Sequence, residues 1–319
     1  MKSITMLTLG ASLIPHSTAA WSGISHLFVF GNSYTTTGFD PTNDQPNREN
    51  PFGNPAYPGY TSSNGPNWID FLTTTYNDSF IQTYNLAYGG ATVDSDLVAP
   101  YQPTVLSLKD QVEDQFLPIY ASKPSFAKWN SLNSLFAFWI GINDVVNSYA
   151  SQNETLYDAV FDVYSELIDE IYEAGGRNFL FLDVPPVDRS PLTASQGKAA
   201  QNLEASSIEQ WNSRLGELAE ETQAQYENVK VLQFSTHSLF SKVLDDPSSY
   251  EETAVYKNTT AYCAEYENGT PEWTTFNETC GIPVNEYFWL NSLHPTYPVH
   301  NATASGIAAL LRAQLGNMC

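Results

Sequence analysis

The stretch HLFVFGNSYTTTG, residues 26–38, decides the fold. Its first six residues form an apolar run with the length of one buried strand, and a glycine ends that run. Ser33 follows at the turn where a parallel sheet presents side chains to its ligand crevice. Gly31 and Gly38 flank this serine and let the backbone bend. On its own, a serine in such a turn is more often a helix cap than a nucleophile, so the other segments of the chain must decide its role.

Four further apolar runs of strand length alternate with longer helical patterns. The runs cover residues 80–87, 134–141, 178–184 and 229–234, and the helical patterns cover 67–76, 106–121, 156–175 and 194–225. Strands that alternate with helices predict an α/β fold with a parallel, doubly wound sheet, whose site lies beyond the carboxyl ends of the strands. We expect a last helix from about Thr303 to Leu315.

Three later segments supply the other groups that acyl transfer requires. They are YNLAYGGATVDS (84–95), WIGINDVV (139–146) and NSLHPT (291–296). Acyl transfer needs a nucleophile, a base within hydrogen-bond reach and donors aimed at the developing oxyanion. We expect Ser33 to be the nucleophile and His294 its base. The Ser33 N–H, the Gly90 N–H and the Asn143 amide would form the oxyanion hole, with Gly89 as the alternative to Gly90.

In this order the four segments resemble the four blocks of the SGNH hydrolase superfamily, also called GDSL esterases and lipases. The resemblance runs from about residue 26 to the C-terminus and assigns the same roles to Ser33, Gly90, Asn143 and His294. It implies a flavodoxin-like three-layer α/β/α sandwich with a five-stranded parallel sheet. FGNSYTTTGF is most similar to secreted fungal acetylesterases of carbohydrate esterase family 16. That similarity implies removal of acetyl groups from plant cell-wall oligosaccharides, especially acetylated xylo-oligosaccharides.

Two positions depart from the family pattern, and each has an amide where a carboxylate is usual. Asn32 precedes the nucleophile, and Asn291 stands where the acid that orients the histidine is expected. In Ser-His-Asp proteases this exchange of acid for amide costs about 10⁴ in kcat. Either a backbone carbonyl or the Asn291 side-chain oxygen orients His294, or a carboxylate from elsewhere reaches it, or the site is weakened or dead.

Other residues near the motifs have structural interpretations. We expect Asp144 and Asp183 to make hydrogen bonds in loops and turns. His26, His237 and His300 lie outside the motifs, and we expect a strand edge, a helix start and a surface loop for them. Five aromatic residues beside the motifs could stack on sugar rings, although buried packing is the favoured role for each. They are Tyr34, Tyr88, Trp139, Trp289 and Tyr297.

Charge limits the partners. The chain has 35 Asp and Glu residues against 13 Lys and Arg, a formal net charge of −22. Nucleic acid is disfavoured because phosphate binding needs a cationic surface. No stretch reaches the roughly 20 apolar residues of a membrane span. We expect a monomer without cofactor or metal that acts on a small-molecule or oligosaccharide ester and does not bind membranes.

The N-terminus and the cysteines indicate secretion. Residues 1–20 have the pattern of a signal peptide, which leaves 21–319 as one catalytic domain in an extracellular protein. Cys263 and Cys280 could close one disulfide that tethers an insertion around 245–286, and Cys319 is left over. Sequons typical of a secreted glycoprotein occur at Asn77, Asn153, Asn258, Asn268, Asn277 and Asn301.

The sequence leaves two alternatives to an acetylesterase. One is a lipase or phospholipase that prefers longer acyl chains, because the motif residues touch only the ester centre that all these enzymes share. The other belongs to a different class, a carbohydrate-binding glycoprotein on a catalytically weakened esterase fold. Asn32 and Asn291 suggest this second alternative.

Overall fold

The computed structural model describes residues 21, 23–153 and 155–315. The predicted signal peptide and Cys319 lie outside these described residues.

Five parallel strands form one sheet in the order β2-β1-β3-β4-β5. The strands are β1 His26–Gly31, β2 Gln82–Asn85, β3 Ser134–Trp139, β4 Asn178–Leu182 and β5 Lys230–Phe234. All five lie within the predicted runs or coincide with them. The chain changes direction across the sheet between β1 and β3, and an open parallel sheet binds its ligands at such a switch point. The residues that follow β1, β2 and β3 therefore meet at one edge of the sheet.

An aromatic ladder crosses one face of the sheet and explains its register. The triplets FVF, FAF and FLF of β1, β3 and β4 place Phe28 opposite Phe136, and Phe136 opposite Phe179. The ring centroids of these pairs are 5.2 and 5.9 Å apart. A second row lies one pleat further along, with Phe30 next to Phe138 at 4.9 Å. Burial of each such ring stabilises the fold by about 1.5–3 kcal/mol, so a slip of the register would be costly.

Helices cover both faces of the sheet and complete the predicted three-layer sandwich. One layer holds α1, α8 and α9, and the other holds α2, α3, α5 and α7, with α4 and α6 packed against α7. The helices are α1 Trp68–Thr74, α2 Leu108–Asp110, α3 Leu117–Tyr120, α4 Ile142–Ser148, α5 Leu156–Ala174, α6 Pro191–Ala194, α7 Lys198–Gln225, α8 Thr236–Asp245 and α9 Tyr297–Leu315. As the Ala-Gly-Gly sequence predicts, α5 ends at Gly175, which has a left-handed backbone.

The last helix differs from its prediction. It begins at Tyr297, about two turns before Thr303. Pro298 lies in the first turn of this helix, where proline is well tolerated because its missing N–H would have no partner. The earlier start carries His300 into the core, where it is 1% exposed and packs between the rings of Tyr34 and Trp139. The expectation of a surface loop at His300 was wrong.

The segment before His294 consists of loops and short 3₁₀ turns. A disulfide joins Cys263 to Cys280, with the two Cα atoms 5.7 Å apart. A small second core of Tyr266, Val284, Tyr287 and Leu290 lies beside it. This core and the disulfide fix a long loop directly against the segment that carries His294.

Candidate active site

The turn after β1 holds Ser33 through bonds to the backbone around it. The side chain of Gln111 accepts a hydrogen bond from the Gly31 N–H and donates one to the Gly31 carbonyl, both at 2.9 Å. Gly31 lies so close to the carbonyl of Trp139 that a β-carbon there would collide with it. Asn32 is fully buried, and its side-chain oxygen accepts the Tyr34 N–H at 3.1 Å. These contacts leave Ser33 half-buried at the carboxyl edge of the sheet.

His294 lies in a tight turn between Trp289 and Pro295, which form an antiparallel bridge. The buried Tyr34, next to the nucleophile in the chain, donates its hydroxyl hydrogen to the Leu293 carbonyl at 2.6 Å. The Leu192 N–H, in α6, bonds to the carbonyl of Ser292 at 2.8 Å. Two separate parts of the fold therefore fix the position of the turn.

Both ring nitrogens of His294 have partners. Nε2 lies 2.8 Å from Ser33 Oγ, and Nδ1 lies 3.0 Å from Asn291 Oδ1. Ser33, His294 and Asn291, which the sequence analysis singled out, thus form a continuous hydrogen-bonded chain. The distances are those expected of a nucleophile, a base and a group that orients the base.

The backbone determines which atom of the Asn291 amide faces His294. Oδ1 of Asn291 also accepts the N–H groups of Leu293 and His294, at 3.1 and 2.9 Å. A backbone N–H can only donate, so the atom in this position must be the oxygen and not the NH₂ group. The imidazole nitrogen beside it must then be the protonated one. Nε2 is left with its lone pair directed at Ser33, which is the tautomer a general base needs.

Four potential donors for an oxyanion lie at the same edge of the sheet, with Gly89 and Gly90 as alternatives to each other. Among the described residues, no acceptor bonds the N–H groups of Ser33, Gly89 or Gly90. The amide nitrogen of Asn143, in the first turn of α4, donates to the Ala91 carbonyl at 2.9 Å and keeps its second hydrogen free. Gly90 has a left-handed backbone with the ring of Tyr101 against it, whereas Gly89 faces open space.

A buried acid links the oxyanion segment to α4. Asp144, fully buried, accepts the Val93 N–H at 3.0 Å, which is a structural bond of the expected kind. Burial raises the pKa of Asp144 to about 7. Asp183 likewise accepts the His237 N–H at the start of α8, at 2.8 Å.

The histidines of the site remain neutral well into the acid range. Burial lowers the pKa of His294 to about 4, because the charged imidazolium would lose its water. Burial and the neighbouring His294 lower the pKa of His300 to about 3. The bonding partners of its two ring nitrogens, Ser33 and Asn291, are uncharged, so neither of them offsets this effect of burial.

Two clefts lie beside the catalytic chain, and Tyr60 borders both of them. His294 and Asn291 line a cleft of about 300 Å³, which continues into one of about 580 Å³ bordered by Tyr60 and Trp273. Gly89 borders the other cleft, of about 440 Å³, whose walls are largely apolar.

Several residues at the site were missed in the sequence. Gln111 lies in a π-helical segment, Gln111–Phe116, between α2 and α3, and no motif marks it. Tyr60 and Trp273 lie in loops without periodicity. Among the aromatic residues singled out from the sequence, Tyr34, Trp139 and Trp289 are buried, as the packing interpretation predicts, and Tyr297 is half-buried. The packing interpretation was wrong for Tyr88, which is 40% exposed and lines the cleft next to Gly89.

Two further findings concern metals and membranes. Across residues 21, 23–153 and 155–315, no group of three His, Cys, Asp or Glu side chains is arranged to hold a metal ion. The helices in that part of the chain include none that is both long and apolar enough to cross a bilayer.

Comparisons with known proteins agree with the geometry. A family model described as GDSL-like lipase/acylhydrolase matches residues 27–306. An acetylesterase of Thermothelomyces thermophilus is 36% identical over 288 residues, which cover 89% of this chain and 87% of that protein. An acetylesterase of Hypocrea jecorina is 24% identical over 315 residues, with 89% and 86% covered.

Solved structures show the same architecture. An acetylxylan esterase from Geobacillus stearothermophilus aligns with a TM-score of 0.50 at 16% sequence identity, covering 92% of this chain and 96% of that one. At this identity the likeness concerns the fold alone. Together with the family match, the fold and the site establish that the chain belongs to the GDSL-like lipase/acylhydrolase family and is a carboxylic ester hydrolase.

Proposed function

We propose that this protein is a secreted serine esterase that removes acetyl groups from plant cell-wall oligosaccharides, especially acetylated xylo-oligosaccharides. The observation that carries the proposal is the chain Ser33–His294–Asn291, with bonds of 2.8 and 3.0 Å next to unbonded backbone N–H groups. The similarity to two fungal acetylesterases supports acetyl as the acyl group. In this proposal residues 21–319 form one catalytic domain that works without a cofactor.

The proposed reaction proceeds through an acyl-enzyme. Ser33 Oγ attacks the ester carbonyl carbon while its proton moves to Nε2 of His294. The N–H groups of Ser33 and Gly90 and the amide of Asn143 stabilise the negative oxygen of the tetrahedral intermediate. The imidazolium then protonates the leaving alcohol. Water deprotonated by His294 attacks the acyl-enzyme, acetate leaves, and Ser33 recovers its proton.

Hydrolysis of esters with longer acyl chains is the second candidate function, because of the cleft next to Gly89. Phe39, Leu86 and Leu106 contribute apolar walls to a volume of about 440 Å³, which is more than an acetyl group fills. Turnover of p-nitrophenyl acetate and p-nitrophenyl octanoate should be compared with release of acetate from acetylated xylo-oligosaccharide. We expect the acetyl esters to have the higher kcat/KM. A higher kcat/KM for the octanoate ester would contradict the acetylesterase proposal and favour a lipase of the same family.

The proposed role of Asn143 makes a separate prediction. Asn143→Ala should lower kcat about 10²- to 10³-fold with little change in KM, because its donor acts on charge that develops in the transition state. Asn147→Ala is the matched control, since Asn147 lies one turn later in α4 and also donates to a backbone carbonyl, that of Ala99. If both variants keep the parent kcat, Asn143 is not part of the oxyanion hole.

Secretion and glycosylation belong to the same proposal. A disulfide and the fungal relatives are consistent with an extracellular protein. Of the six sequons, Asn153 and Asn268 are exposed and the others are half-buried. Asn301 is the least accessible, because it lies in α9, accepts the hydroxyl hydrogen of Tyr76 at 2.8 Å, and is followed by the buried Thr303.

A further inference from the structure

We propose that the cleft on the His294 side is a sugar-binding subsite, in which Tyr60 and Trp273 stack on a pyranose ring of the leaving alcohol. This inference rests on the proposed esterase function and names the part of the protein that would recognise the carbohydrate. A subsite of this kind would distinguish a sugar ester from a simple alkyl ester, although both present the same carbonyl group to Ser33.

The chemistry of the reaction decides which cleft receives the alcohol. The proton that Nε2 of His294 takes from Ser33 must be returned to the leaving oxygen, so the alcohol has to lie within hydrogen-bond reach of that nitrogen. The cleft of about 300 Å³ that His294 lines is therefore on the alcohol side. Thr61, Asn64 and Asn268 line both this cleft and the neighbouring one of about 580 Å³, so the two are continuous.

Two aromatic rings are exposed in the larger part of this cleft. Tyr60 is 77% exposed and Trp273 is 41% exposed. Each ring rests on a support: a β-carbon at Gly38 would lie 2.7 Å from the Tyr60 ring, and Trp273 packs on Tyr297 with the centroids 5.9 Å apart. An exposed aromatic ring that the fold holds in place is suited to ligand binding, because its association with a ligand loses little conformational entropy.

Polar groups beside these rings match the edge of a sugar. Asn64 is held by three hydrogen bonds to Thr270, and its amide nitrogen keeps one hydrogen free. Among the described residues, the hydroxyl of Ser62 and the carboxylate of Glu267 have no hydrogen-bond partner. A pyranose has an apolar C–H face and a rim of hydroxyl groups. Aromatic faces next to unpaired amide, hydroxyl and carboxylate groups are complementary to both.

The test compares two acetyl esters, acetylated xylo-oligosaccharide and ethyl acetate, whose alcohol has no ring. Trp273→Ala should lower kcat/KM for the oligosaccharide about tenfold, mainly through KM, and change the value for ethyl acetate less than about twofold. Tyr60→Ala should also lower kcat/KM for the oligosaccharide, but the deciding variant is Trp273→Ala, because Tyr60 borders the cleft next to Gly89 as well. Trp273→Phe should retain most of the oligosaccharide activity. Thermal unfolding of each variant reports whether the fold is intact.

Phe276→Ala is the matched control, because Phe276 lies three positions from Trp273, is 57% exposed and does not line the cleft. Equal losses on both esters in Trp273→Ala, or no loss on either, would overturn the subsite. Removal of the sequon by Asn268→Gln tests another occupant, a glycan of the protein itself. If that change alone raises oligosaccharide turnover and Trp273→Ala has no effect, the cleft holds the glycan and not the substrate. Failure of the unmodified protein to hydrolyse either ester would instead refute the esterase proposal.

Discussion

Ser33→Ala is expected to lower kcat for ester hydrolysis by about 10⁴- to 10⁶-fold, the range found when the nucleophile of a serine hydrolase is removed. Oγ of Ser33 has one hydrogen-bond partner among the described residues, Nε2 of His294. Its loss should therefore remove the attacking atom without disturbing the turn after β1. The same change should abolish covalent labelling by a fluorophosphonate, which reports the nucleophile independently of turnover.

His294→Ala should lower kcat by a similar factor. The double variant should have a kcat no lower than that of either single variant. Groups that act as one unit in catalysis show this non-additivity, because neither can work without the other. Ser131→Ala is a suitable control, since Ser131 precedes β3 at the opposite end of the sheet. Independent, multiplicative losses in the double variant would show that Ser33 and His294 do not form a nucleophile–base pair.

The fold was predictable because local and global signals agree in β1, β3 and β4. Their apolar runs are short, end in glycine or turn residues, and alternate with helical patterns, which together specify a parallel sheet. The ladder of Phe28, Phe136 and Phe179 adds a register that a strand pattern alone does not contain. The start of α9 was missed because proline allows both a helix start and a loop, and only the packing of His300 in the core separates the two.

The site was predictable where chemistry restricts the residue type. Serine, histidine and the glycines after the strands are hard to replace, so the segments containing them stand out. Gln111 bonds to Gly31, which lies 80 positions earlier in the chain, and a contact over that separation leaves no local sequence pattern. Tyr60 and Trp273 meet in one cleft through loops far apart in sequence, and their exposure depends on tertiary structure. Sequence therefore indicated the ester centre and not the groups that would select the alcohol.

Asn291 raises the question of how a base works without its usual acid. The protease loss of about 10⁴ on exchange of acid for amide is attributed to the wrong histidine tautomer. Here the N–H groups of Leu293 and His294 fix the amide oxygen towards Nδ1, so the correct tautomer is kept. What the amide lacks is the negative charge that would stabilise the imidazolium. We therefore expect an active site with a moderately reduced kcat. The pKa of His294 is low because no carboxylate offsets the effect of burial.

Asn291→Asp should raise kcat about 10- to 100-fold, because a carboxylate accepts the same three hydrogen bonds and its negative charge raises the pKa of His294. The acid limb of the kcat/KM profile, expected near pH 4 in the parent, should move to higher pH in this variant. Asn291→Leu, similar in size but without an acceptor, should lower kcat about 10²- to 10⁴-fold, since nothing then selects the tautomer. Parent-like rates and pH profiles in both variants would mean that another group orients His294. A higher kcat with aspartate and a lower kcat with leucine would show that the side-chain oxygen at position 291 orients the imidazole. They would also show that the parent site lacks only the negative charge of a carboxylate.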